Sequence, residues 1–180
     1  MTTKASLLRL LGVAFFASHI PATLLVDAQA LLPSFLFPRF AKNMLRNFIA
    51  QYGDPLMSAA LRGSPDHRWF VSLIATELVL QLPFFFVALY AFLARREFIR
   101  LPLIAYGSFV SATMVPILSE LWWATGLDAG KRVALLGMYL PYLIVPAIMV
   151  IWGCSAERLF DTVQEGGERG RRARGKEKHR

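Results

Sequence analysis

The chain has 180 residues, of which 56% are hydrophobic, and a mean hydropathy of +0.46. A soluble globule of this size must cover itself with polar residues, so the composition excludes that class and predicts an all-α integral membrane protein with a few spans. The net charge of +8 gathers in a tail and at segment ends, as membrane topology requires, and no aromatic-basic groove or zinc spacing points to nucleic acid. Cys154 is the one cysteine, so no internal disulfide or thiolate cluster can form.

Residues 5–27 predict the first span, long enough at about 20 residues to cross a bilayer. Ala28-Gln29-Ala30 has the look of a signal cleavage site. The apolar run, however, exceeds the roughly 7–15 residues of a signal core, which favours an uncleaved helix. Within it lies Ser18-His19-Ile20-Pro21-Ala22-Thr23-Leu24-Leu25-Val26-Asp27, where a histidine, a proline and a carboxylate interrupt apolar sequence. Pro21 cannot donate to the carbonyl of Ala17, which predicts a kink.

Residues 31–66 are a connection containing a basic amphipathic helix. Phe40, Met44, Leu45, Phe48, Ile49 and Tyr52 recur at helical spacing, with Arg39, Lys42, Asn43 and Arg46 opposite, and Gly53 ends it. It is expected to lie at the membrane interface or cap the bundle. The second span, about 67–93, opens with Ser64 as a cap, Pro65 at the first helical position and Asp66 against the dipole. It carries Glu77 and Gln81 on one face, four residues apart, and Pro83 should bend it.

The third span, about 101–123, holds Thr113 and Pro116 and ends near Glu120 and the pair Trp122-Trp123. The fourth, about 133–153, holds Tyr139, Pro141, Tyr142 and Pro146. A proline in every span suits helices kinked around a cavity. The expected organisation is a four-helix membrane domain over 1–154 and a disordered basic tail over 155–180. The two termini and the turn at 94–100 hold thirteen Lys and Arg, and the other two connections hold seven. Both termini are therefore expected in the cytosol. Lys176 and Lys178 also fit a dilysine-type retrieval signal to the endoplasmic reticulum, although a merely basic tail reads the same way.

A carboxylate inside a membrane costs several kcal/mol unless protonated, paired or hydrated. Glu77, about 12 Å into its span at the helical rise, is a site candidate on that ground. Asp27 can face water at its helix end, or pair with a cationic ligand or with protonated His19. Straight-helix arithmetic sets the two acids at depths about 10 Å apart. His19 on an apolar face is ordinarily a hydrogen-bonded packing residue. Thr113, Tyr139 and Tyr142 can add hydroxyls. Glu120 reads as interfacial and Asp54-Pro55 as a turn. The acids would suit proton transfer on a lipidic substrate or the holding of an amine.

These motifs together resemble the sigma-2 receptor family of the EXPERA superfamily, which also includes emopamil-binding sterol isomerases. The resemblance runs from about residue 7 to 153. It rests on Ser18-His19-Ile20-Pro21, Thr23, Asp27, Gln29, Leu32-Pro33, Asp54-Pro55-Leu56, Glu77-Leu78-Val79, Gln81-Leu82-Pro83-Phe84-Phe85, Pro116-Ile117-Leu118-Ser119, Tyr139, Pro141-Tyr142-Leu143 and Pro146. It implies a four-helix bundle around a lipid-accessible cavity. It further implies that Asp27 pairs with a cationic amine, that Glu77 supports that aspartate, and that His19, Gln81, Thr113, Tyr139 and Tyr142 line or support the pocket.

Pro21 and Pro83 are structural as the bends of their helices; the resemblance implies that Asp54 is structural too and that the natural partners are sterols, oxysterols or cationic amphiphiles. Membrane lipid, a Niemann-Pick-type cholesterol transporter and a homodimer complete the partners considered; no cofactor or metal is expected. The implied role is non-enzymatic sterol homeostasis or trafficking in the endoplasmic reticulum, with a sterol isomerase or a scaffold as alternatives. Phe48 stands where the family has a pocket-proximal tyrosine, and the connection between the third and fourth spans is shorter than the family's.

Overall fold

The computed structural model describes residues 2–160. Its helices are α1 (Thr2–Leu25), α2 (Arg39–Tyr52), α3 (Pro55–Leu61), α4 (Arg68–Thr76), α5 (Leu82–Ala94), α6 (Arg100–Trp123), α7 (Ala129–Tyr139) and α8 (Pro141–Ser155). Four helical stretches are long and apolar enough to cross a membrane: Ala5–Ala30, Pro65–Ala94, Glu97–Trp123 and Ala129–Ser155. The fold is the expected four-helix membrane bundle. Only 17–33% of each apolar window is buried in the protein, so most apolar side chains face outward, where lipid rather than water solvates them.

The spans pair as α6 on α8 and α1 on α5. Small residues permit both contacts. A β-carbon at Gly107 would stand 2.7 Å from the Pro146 carbonyl oxygen, and one at Gly12 would overlap the Phe92 ring. Phe16, fully buried, lies among Phe84, Phe85, Phe92 and Tyr106 at centroid distances of 5.7–5.9 Å. Aromatic edges and faces in contact of this kind add to packing where no hydrophobic drive exists.

The prolines act in different ways. Pro21, Pro116 and Pro146 lie inside continuous helices. The fourth span is interrupted at Leu140, immediately before Pro141. In the second span the bend expected at Pro83 is resolved as a π-helical turn, Glu77–Gln81, in which the Leu82 N–H bonds to the Glu77 carbonyl. Pro83 has no N–H for the Val79 carbonyl, so the α-helical ladder cannot run through this point.

The amphipathic helix forms as expected and ends at Gly53 in the left-handed region (φ 69°), whose N–H bonds to the Ile49 carbonyl at 2.8 Å. The expected Ser64 cap is replaced. Its hydroxyl pairs with His67 Nδ1 at 3.3 Å, because the second span starts with a 3₁₀ turn, Pro65–His67.

The expectation of a disordered segment from Ser155 on is corrected for residues 156–160. Leu159 and Phe160 are buried, and their backbone N–H groups bond to the Glu97 carboxylate at 3.0 and 2.7 Å. Arg100 donates to the carbonyls of Gly153 (2.7 Å) and Glu157 (3.2 Å). Phe160 packs edge-on against Phe92 and Trp152. A carboxylate and a guanidinium thus satisfy the backbone groups of the last turn, and two apolar side chains supply the packing. Residues 161–180, with Lys176 and Lys178, lie outside the described residues.

Candidate functional site

α1 presents His19 and Thr23 four residues apart on one helical face, and Asp27 follows four residues later, just past the end of the helix. Asp27 begins a 3₁₀ turn, Asp27–Ala30, that continues α1. Gln29 holds this turn beneath α2, its amide donating to the Leu25 carbonyl at 2.5 Å and the Ala41 carbonyl at 3.2 Å. Across from it, the π turn presents Glu77 and Gln81.

A cavity of about 520 Å³ lies between these elements, α2, α3, α6 and α7. That volume is within the roughly 300–1,000 Å³ of small-molecule sites. His19, Asp27, Glu77 and Gln81 line it from the first two spans; Thr113 lines it from α6, Tyr139 from α7 and Tyr142 from α8. All seven pocket residues expected from the sequence therefore border one space. Phe48 also lines it, with Met44, Met57, Met114 and Met138.

The polar groups differ in how far they are committed. Glu77 Oε1 accepts from the Thr23 hydroxyl at 2.5 Å and lies 3.4 Å from His19 Nε2. His19 is held in an aromatic box: stacked on Phe85 (4.5 Å, 25°), edge-on to Phe15 (5.0 Å) and beside Tyr142 (4.7 Å). Its Nδ1 is buried with no hydrogen-bond partner among the described residues. Thr113 donates to the Val110 carbonyl of its own helix at 3.0 Å.

The Tyr139 hydroxyl donates to Asp54 Oδ2 at 2.6 Å. Asp54, itself fully buried, caps α3 by accepting from the Met57 N–H at 3.0 Å. Tyr139 thus borders the cavity while tying α7 to the first connection. Burial holds the Asp54 carboxyl above its ordinary range, although the Tyr139 hydroxyl and the Met57 and Leu56 N–H groups oppose that rise.

Glu77 meets α1 at Thr23 and His19, one and two turns before Asp27, which is about 6 and 12 Å along the axis. The depth offset between the acids therefore persists. The cavity spans it, and Glu77 takes its hydrogen bond from Thr23. Glu120, read as interfacial, is exposed outside the cavity and lies 3.9 Å from His67 Nε2. Thr23 was not among the expected pocket residues, though its spacing from His19 placed it on that residue's face.

Fold and site together define a multi-pass membrane protein whose bundle holds a cavity bordered by two carboxylates. The sequence matches the family model EXPERA (EXPanded EBP superfamily) over residues 40–153. It is 39% identical over 155 residues to Sigma intracellular receptor 2 of Macaca fascicularis and to that of Homo sapiens, covering 79% of this chain and 84% of each relative. It is 35% identical over 160 residues to the Xenopus tropicalis protein of the same name, covering 84% of this chain and 90% of that one. The chain belongs to the EXPERA family. These three relatives are named as receptors.

Proposed function

We propose that this protein is a receptor-like binding protein of the endoplasmic reticulum membrane for sterols, other lipids or cationic amphiphilic amines, acting in sterol homeostasis or trafficking. The observation that carries this reading is an apolar cavity lined by both Asp27 and Glu77, with Glu77 held by Thr23. A carboxylate in such a place gains most from a desolvated cation or hydroxyl, because either replaces water it has lost. The rest of the lining suits a hydrocarbon body. The receptor names of the relatives support the non-enzymatic form. The excess of Lys and Arg at the termini and the turn at 94–100 supports cytosolic termini.

The test is saturation binding of a radiolabelled amphiphilic amine to purified protein. Asp27→Asn should weaken binding by at least about tenfold, since a charge-assisted contact is worth roughly 1.5–3 kcal/mol. Glu77→Gln should weaken it less, because the amide still accepts from Thr23. Unchanged affinity in Asp27→Asn, with thermal unfolding preserved, would sink the reading. The contact of His19 with Glu77 favours one rival, a sterol isomerase in which these groups move protons. Conversion of a Δ8 sterol that Glu77→Gln abolishes would replace the receptor reading with that one.

A further inference from the structure

Among the five described methionines, Met44, Met57, Met114 and Met138 line the cavity, and Met149 does not. Twenty of the described residues form that lining, so an even spread of methionine would place about one there. The four come from four different helices, α2, α3, α6 and α7. The other buried positions of the bundle are filled mainly by Phe, Leu, Ile and Ala.

Methionine differs from those residues in one relevant way. It is unbranched, with three rotatable bonds and a polarisable sulfur, and it fills irregular space at little energetic cost. Leucine and isoleucine hold branched, well-defined shapes. Four methionines on four helices can therefore each re-rotamerise without moving a helix. The two carboxylates of the lining are restrained instead: Glu77 by Thr23 and His19, and Asp27 through the backbone of the turn that Gln29 anchors.

We propose that the four methionines are the specificity-determining element of the cavity: they mould to dissimilar apolar bodies while the two carboxylates read a common polar or cationic head. The ligand class is thus defined by head group and apolar volume, and ring shape counts little. This rests on the binding function proposed above and adds which residues set the ligand range.

The test uses a panel of amphiphiles sharing one amine head but carrying a planar fused-ring, a bent two-ring or a flexible alkyl body of matched volume. The wild type should bind all three within about tenfold of one another. The volume-conserving variant Met44→Leu/Met57→Leu/Met114→Leu/Met138→Leu should hold its best ligand within about threefold of wild type yet spread the panel beyond about thirtyfold. Met149→Leu should keep the narrow spread. Should the fourfold variant fail to fold, Met44→Leu/Met138→Leu changes only the two less buried positions and should widen the spread in the same direction. An unchanged spread in a folded variant, or a wide spread already in the wild type, overturns the methionine proposal alone. Failure of the wild type to bind any member overturns it together with the binding function.

Discussion

Thr23 fixes Glu77 to the first span through a side chain with no exposed surface. A threonine on a helix ordinarily returns its hydroxyl to its own backbone, as Thr113 does here. Thr23 spends it across the bundle instead, a choice made by what stands opposite and so not readable from α1 alone. Asp54 carries a prediction at this scale. Its native pKa lies above the ordinary 3.8, with burial as the main cause, so the folded state holds a proton that the unfolded chain releases. Stability from this group is full below that value and declines as pH rises toward the native pKa. Asp54→Asn keeps its amide oxygen for the Met57 N–H, donates from its NH2 to the Tyr139 oxygen where the carboxylate accepted, and cannot ionise. The melting temperature of the wild type relative to Asp54→Asn should therefore fall as pH rises from about 4 to 7. A difference that stays constant across that range would refute this. Asp27 and Glu77 were legible because charge within apolar sequence is expensive. Their shared cavity was not, since straight-helix arithmetic says nothing about how a space spans two depths.

Among the elements, the spans were legible from hydropathy and length, and α2 from its periodicity and closing glycine. The π turn was not. Pro83 announces that the ladder must break, but whether by a bend or by an extra residue in the turn depends on packing against α1. The breaks have unequal tolerance. Gly107→Ala would drive a β-carbon into the Pro146 carbonyl and Val150, both at 2.7 Å, on the closely packed α6–α8 contact. It should destabilise by about 1–3 kcal/mol. A β-carbon at Gly137 meets nothing within 4 Å, so Gly137→Ala should be neutral or stabilise α7 by up to about 1 kcal/mol. Thermal unfolding in detergent reads both. Equal melting temperatures for Gly107→Ala and wild type would refute the close-packing argument.

At the scale of the molecule, the bundle is closed at one end by α2 with the Gln29-anchored turn, and at the other by residues 156–160 folded onto the Glu97–Arg100 turn. Hydropathy alone ends the chain's ordered part near Ser155, because Glu157 and Arg158 read as tail. Leu159 and Phe160 reverse that reading only once Phe92, Trp152 and Glu97 are assembled to receive them. Removing Phe160 should therefore cost about 3–5 kcal/mol, the usual loss for a buried aromatic. Glu97→Ala should lower the melting temperature as well, because two buried N–H groups lose their acceptor. Wild-type melting in both variants would refute the docking. The practical boundary for shortening this protein or attaching a reporter thus falls after residue 160. A cut at 155 would leave the Phe92–Trp152 edge bare, a sticky seam inviting aggregation on extraction from lipid, and loss of function there would be mistaken for a property of the missing tail.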